Sequence, residues 1–177
     1  EGEVSLVNTT FRKLAVIGTR EIANEESAIT EIRRIRNKYP DSICVTGLAS
    51  GVDSFGVSQF DKSVCFIGEE LSGFIRKKQR DRVRLSAKEK AFTCGVILSH
   101  VLPHKKMGPF SFRNSLLERN LFVVLLSDTV HPIEFGIKSG TISAINHAIR
   151  NKKRIFTPKT LIEEDVIKRF SGAITFF

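Results

Sequence analysis

Three turns in this sequence combine glycine with cations and hydroxyls: Gly18-Thr19-Arg20, Thr46-Gly47-Leu48-Ala49-Ser50-Gly51-Val52-Asp53, and Lys138-Ser139-Gly140-Thr141. Glycine lets a backbone approach a ligand closely. A helix that starts after such a turn offers unpaired N–H groups and the positive end of its dipole. Thr19, Ser139 and Thr141 add hydroxyl donors, while Arg20 and Lys138 add charge. This residue set suits the holding of phosphate groups rather than the making or breaking of bonds. One glycine after a strand is only a turn, but three such turns in series, two with adjacent cations, point to a phosphate site.

Other residue types point to less. His100 and His104 are four apart, but Pro103 between them breaks a helix and no cysteine or carboxylate partner is near, so no metal is expected. Gly18-Thr19-Arg20 is not Gly-x-Gly-x-x-Gly, and no acid ends the second strand to hold a ribose, which argues against a dinucleotide cofactor. No Ser-His-Asp or Cys-His set follows from spacing. Asp53 suits either a ligand hydroxyl or the cap of the following helix. Phe110 and Phe112 flank Arg113 after Gly108 and Pro109, and are candidate rings for bases to stack on, although the core is the ordinary place for Phe. The run from Arg76 to Lys90 carries eight bases against Asp81 and Glu89, and reads as a solvated loop or an accessory phosphate track.

The elements that must position these residues follow from hydrophobic pattern. Short apolar runs at Lys13–Gly18, Ser42–Thr46, Ser63–Gly68, Gly95–Val101, Leu121–Leu126 and Arg154–Phe156 read as buried strands, the run at 121–126 as the central one. Thr175–Phe177 reads as a closing edge strand. Ile22, Ile29, Ile32 and Ile35 keep helical spacing, with acids early and bases late, as the helix dipole favours. A short helix is expected after Asp53, and longer ones over Phe110–Asn120, Gly140–Asn151 and Leu161–Phe170. Ser127–Ser139, with Pro132 and Gly136, reads as a loop or lid. Alternating strands and helices predict an α/β, Rossmann-like fold: a mostly parallel sheet flanked by helices, in one domain over residues 1–177.

Composition narrows the setting. The 177 residues carry 28 Lys and Arg against 19 Asp and Glu, a net charge of +9, and such a basic chain commonly meets a polyanion. No apolar stretch reaches the ~18 residues of a membrane span, and no signal peptide is visible at Glu1-Gly2-Glu3-Val4. Cys44, Cys65 and Cys94 each fall in a run read as a strand, which fits reduced thiols and a cytoplasmic compartment.

The ordered set Gly18-Thr-Arg20, Thr46 to Asp53, Phe110-Ser-Phe-Arg-Asn114 and Lys138-Ser-Gly-Thr141 resembles the DNA-processing protein A (DprA, or Smf) family over roughly residues 13 to 158. The resemblance implies a Rossmann-like fold that binds single-stranded DNA and helps load a RecA-type recombinase in DNA uptake or recombination. It implies no catalysed reaction, and a homodimer. Carried over, Gly18 and Arg20, Gly47, Gly51 and Asp53, Arg113 and Asn114, and Ser139, Gly140 and Thr141 are the matching positions. Ser50 stands where the family has Arg, and the run 76–90 has no counterpart. The alternative is a nucleotide sensor or a phosphoribohydrolase of the LOG type on a related fold. That enzyme carries a Glu three residues after its Gly-Thr, where this chain has Ala144.

Overall fold

The structure, a computed structural model, describes residues 3–76, 82–101 and 108–177. Seven strands form one sheet: β1 (Lys13–Ile17), β2 (Ile43–Thr46), β3 (Ser63–Ile67), β4 (Gly95–Ser99), β5 (Thr129–Pro132), β6 (Arg154–Thr157) and β7 (Thr175–Phe176). Among the described residues the helices are α1 (Ser5–Asn8), α2 (Glu25–Lys38), α3 (Val52–Gln59), α4 (Leu71–Arg76), α5 (Arg82–Cys94), α6 (Pro109–Leu126), α7 (Thr141–Arg150) and α8 (Glu164–Phe170). None is long and apolar enough to cross a membrane.

Side chains alternate across each strand, so a sheet covered on both faces needs apolar residues at nearly every position. Ala15, Ile17, Val45, Val64 and Val96 pack into one layer with Val123 and Val124 of α6, Ala144 and Ile145 of α7 and Val166 of α8. On the opposite face Leu14, Val16 and Cys44 meet Ala28 and Ile32 of α2 and Val52 and Phe55 of α3. Cys65 and Ile97 meet Ala87 and Ala91 of α5. Helix α2 starts where Asn24 accepts a hydrogen bond from Ser27 N at 3.0 Å, with Glu25 and Glu26 in its first turn and Arg36 and Lys38 in its last.

All pairings are parallel, in the order β4-β3-β2-β1-β5-β6-β7. The chain starts at β1, steps outward to β4, then crosses back along α6 to β5 on the other side of β1. The order therefore reverses between β1 and β5, and the connections leaving their C-terminal ends diverge. In open sheets of this kind ligands bind at that point.

Several sequence expectations are corrected. Leu121–Leu126 is the end of α6 and not a central strand. A continuous apolar run fits a buried strand or a helix equally. Here Ser115, Arg119 and Val123, four apart, point inward while Phe122 and Leu125 stay exposed. The strand lies instead in the segment read as a loop or lid: Thr129–Pro132 is buried throughout, and Pro132 is tolerated because it ends the strand. Cys94 ends α5 and is exposed, whereas Cys44 and Cys65 are buried strand thiols as expected. Residues 82–90 of the basic run are helical, not loop, and two of their cations are structural: Lys88 Nζ donates to Phe74 O and Ile75 O at 3.0 and 2.9 Å, and Lys90 Nζ to Ser58 O at 2.8 Å. Residues 77–81 of that run, and His104, lie outside the described residues.

Candidate nucleic-acid interface

The first turn leaves β1 at Gly18, where a Cβ would lie 2.6 Å from the Val52 side chain, so only glycine lets β1 and α3 close up. The second turn docks onto the first. Val52 N donates to Thr19 O at 3.1 Å, and Gly51, at φ +74°, brings its Cα so near that a Cβ would sit 2.3 Å from Thr19 O. The chain leaving β5 closes the other side: Thr19 N donates to Glu134 O at 2.8 Å, and Ala23 N to Glu134 Oε1 at 2.6 Å. Glu134 thus ties the two diverging connections together across the reversal point.

Between them opens a crevice of about 750 Å³. Its walls are the Gly18–Arg20 turn, the inward face of α6, and the Lys138–Gly140 segment that leads into α7. Arg20, Arg113 and Lys138 stand exposed on its rim, and among the described residues none of them pairs with a carboxylate. Leu116, Leu117 and Ile137 give the same crevice apolar surface. At the mouth of α7 the Ser139 hydroxyl donates to Thr141 Oγ1 at 3.0 Å and accepts from Thr141 N at 3.2 Å. Gly140 faces open space, and its carbonyl accepts from Asn120 Nδ2 at 3.4 Å. The Thr19 hydroxyl is taken up within its own turn, bonded to Glu21 O at 3.0 Å.

The floor is an ion pair. Arg119, 6% exposed, places Nη1 3.3 Å from Oδ2 of Asp53, which is 5% exposed. The same oxygen accepts from Gly47 N at 3.1 Å and Ala49 N at 3.4 Å, so Asp53 braces the preceding turn instead of capping its own helix. Burial pushes the Asp53 carboxyl above its ordinary range, against the opposing pull of Arg119 and those two N–H groups. Gly47 owes its identity to this pair: a Cβ there would lie 0.6 Å from Arg119 Nη1. The guanidinium occupies the space that any side chain at 47 would need.

The sequence candidates therefore separate. Gly18, Thr19, Arg20, Arg113, Lys138, Ser139, Gly140 and Thr141 line the crevice together. Gly47 and Gly51 shape it from outside its lining. Asn114 is exposed and does not line it. An Arg-Asn pair occurs twice in α6, and the structure puts the second, Arg119-Asn120, in the crevice with Arg113 alone of the first pair. Phe110 is 78% exposed at the start of α6, and Phe112 is half-buried beside Arg20 in a smaller adjoining cavity. Arg119, Asn120, Glu134, Leu117 and Ile137 are not among the sequence candidates. Once 109–126 is known to be helical, the inward spacing 115-119-123 marks Arg119, whereas no local pattern marks Glu134.

A profile of the DNA recombination-mediator protein A family matches residues 1–173. The chain belongs to that family. Two solved structures share the fold. DNA processing protein A from Helicobacter pylori, described with a single-stranded DNA binding mode, superposes with a TM-score of 0.77 at 23% identity, over 99% of this chain and 79% of that one. DNA processing protein A from Streptococcus pneumoniae gives a TM-score of 0.77 at 19% identity, over 99% of this chain and 61% of that one. A comparison with curated proteins finds no match. At these identities the structural likeness speaks for the fold, and membership rests on the family profile.

Proposed function

We propose that the crevice binds single-stranded DNA without turning it over. The observation that carries this reading is the set of three exposed cations, Arg20, Arg113 and Lys138, around an open crevice that also has apolar walls in Leu116, Leu117 and Ile137. Cations serve the phosphates, and apolar faces receive unstacked bases. Family membership and the single-strand binding described for the Helicobacter pylori protein support it. Hydrolysis fits poorly: Ala144 stands where a LOG-type enzyme has its Glu, and the Asp53 carboxylate is held by Arg119 and two backbone N–H groups. The same reading extends to a cytoplasmic protein that pairs with a second copy and hands DNA to a RecA-type recombinase.

The test is fluorescence-anisotropy titration of labelled oligo-dT, single-stranded and duplex, across a salt series. Single strands are expected to bind more tightly, with log K falling by about 2 per decade of salt, from ~0.7 for each of three phosphate contacts. Arg20→Ala and Lys138→Ala should each weaken binding and reduce that slope by about 0.7. Failure of either form to bind, together with a raised melting temperature on adding a mononucleotide, would replace this reading with the nucleotide sensor.

A further inference from the structure

A second cavity, of about 180 Å³, adjoins the crevice. It shares Arg20 and Arg119 with the crevice and adds Arg84, Ser50, Glu69 and Phe112. Three arginines from three separate elements thus line one small space: the turn after β1, helix α5 and helix α6. Glu69 is the acid on its wall among the described residues, because Asp53 meets Arg119 from the crevice side.

Arg119 is the central group. It is nine-tenths buried, its Nε has no partner among the described residues, and its contact with Asp53 is a single one at 3.3 Å. A guanidinium has five N–H donors and no acceptor, so the protein alone leaves it short of partners. Its hold on its own proton is weakened first by burial, against the support of Asp53, and then by the nearby charges of Arg20 and Arg84. Asp53 offsets the charge of Arg119 from the crevice side, which leaves Arg20 and Arg84 as the cations that face one another beside it. An anion placed there relieves their repulsion while supplying Arg119 with acceptors.

Size admits a phosphate group, and charge decides which kind. At ~30 Å³ per water the cavity has room for about six waters. That is well below the ~300 Å³ at which ordinary small-molecule pockets begin. A phosphate group fits within it, with the attached sugar on the crevice side, where Arg20 and Arg119 line both spaces. An internal phosphodiester brings one negative charge to the three arginines, whereas a phosphate monoester brings about −1.5 to −2 at pH 7.

We propose that this cavity receives a phosphate monoester, the terminal phosphate of a strand lying in the crevice, and that the protein thereby prefers phosphorylated strand ends. The proposal rests on the reading of the crevice as a single-strand site. A free nucleotide carries the same group, so the test separates the two sources.

Three oligo-dT strands of one length, internally labelled, are titrated at low salt: one with a 5′-phosphate, one with a 3′-phosphate and one with hydroxyls at both ends. One phosphorylated strand is expected to bind about tenfold tighter than the hydroxyl-ended strand, as a charge-assisted contact would give. Millimolar inorganic phosphate should erase that preference. Ser50→Glu, which places an acid on the wall while leaving every arginine in place, and Arg84→Gln, which removes a cation that the crevice does not use, should each abolish the preference. Arg84→Gln should bind the hydroxyl-ended strand as the parent does, whereas Ser50→Glu, whose acid also faces the shared Arg20, should bind it more weakly. The readout in both is the ratio of phosphorylated to hydroxyl-ended affinity, which should fall to one. Arg84 Nε also donates to Leu48 O at 3.0 Å, so melting temperatures accompany that variant, and Ser50→Glu carries the test if Arg84→Gln unfolds.

Equal affinity for all three strands, with ordinary salt-dependent binding, overturns the proposal and leaves the crevice reading standing. If no strand binds, but a nucleoside monophosphate raises the melting temperature of the parent and not of Ser50→Glu, the phosphate site belongs to a free nucleotide. The strand-end proposal and the crevice reading then both fail. Absence of every effect also removes both.

Discussion

Replacing Gly47 by alanine adds one methyl group at a point 0.6 Å from Arg119 Nη1, so the methyl and the guanidinium cannot share that space. Either the turn 46–53 retreats from α6 or Arg119 leaves Asp53. The first route strains a segment pinned by Val52 N on Thr19 O, and overpacking of this kind costs about 1–3 kcal/mol. The second leaves a buried carboxylate without its cation, a loss of about 3–5 kcal/mol. The cheaper route sets the outcome, and an overlap as close as 0.6 Å puts it in the upper part of that range, so Gly47→Ala should destabilise by about 2–3 kcal/mol. For a chain of this size that is a fall in melting temperature of roughly 4–12 °C. Differential scanning calorimetry reads the shift directly. A double-mutant cycle isolates its cause: on an Arg119→Leu background the added methyl has room, and the cost of Gly47→Ala should drop by more than 1 kcal/mol. If Gly47→Ala melts within a degree or two of the parent, or costs as much with Leu at 119, the collision with Arg119 does not explain glycine at 47.

Two further predictions test the periphery. Phe110→Ala should leave the melting temperature unchanged, as the ring is 78% exposed, and should lower single-strand affinity by about 1 kcal/mol without altering the salt slope, while Phe112→Ala should cost stability as well. Unaltered affinity in Phe110→Ala would take that ring out of the binding path. His131, 3% exposed in β5, has its pKa lowered from 6.5 to about 4 by burial and then by the charges of Lys38 and Arg12. The unfolded chain therefore takes up the proton first as pH falls. The stability that this neutral histidine preserves is fully present above about pH 6.5 and is lost progressively down to about pH 4, a total near 3 kcal/mol. Urea unfolding of the parent and of His131→Phe at pH 7, 5.5 and 4 measures it. Parallel pH dependences in the two proteins would show that His131 does not titrate in this way.

Much of the fold is legible in the sequence because a parallel sheet covered on both faces writes its strands as short apolar runs ending at turns. The runs at β1, β2, β3 and β4 show this, and the acid-to-base gradient of α2 adds a helix end to end. The reading fails where the same physics permits two answers. Leu121–Leu126 is as apolar as any strand, and only its continuation of the 115-119-123 spacing marks it as helix. Thr129–Pro132 hides because it contains a histidine and a proline, yet both are accommodated: His131 is buried beside Thr129 Oγ1, and Pro132 ends the strand. The phosphate-facing turns are visible as glycine with cations. The reason for Gly47 is not, since it depends on an arginine from a helix 72 residues further along the chain.

The two kinds of arginine at this site do different physical work, and the salt dependence should tell them apart. Arg20 and Arg113 are exposed, and in the free protein no carboxylate among the described residues offsets either, so a phosphate that meets them displaces counterions from the strand. Arg119 already has its charge balanced by Asp53 at 3.3 Å in a buried setting. Bringing a phosphate near Arg119 adds hydrogen bonds and fixes position, but it changes the net neutralisation of the strand little. The salt slope should therefore count the rim cations and pass over the floor. A variant that keeps the fold but disables Arg119 would weaken binding by a constant factor at every salt concentration, whereas loss of Arg20, Arg113 or Lys138 would weaken it most at low salt. Gly51, Gly47 and Glu134 make that division possible, because they hold the turns of the rim in fixed relation to a rigid, charge-neutral floor.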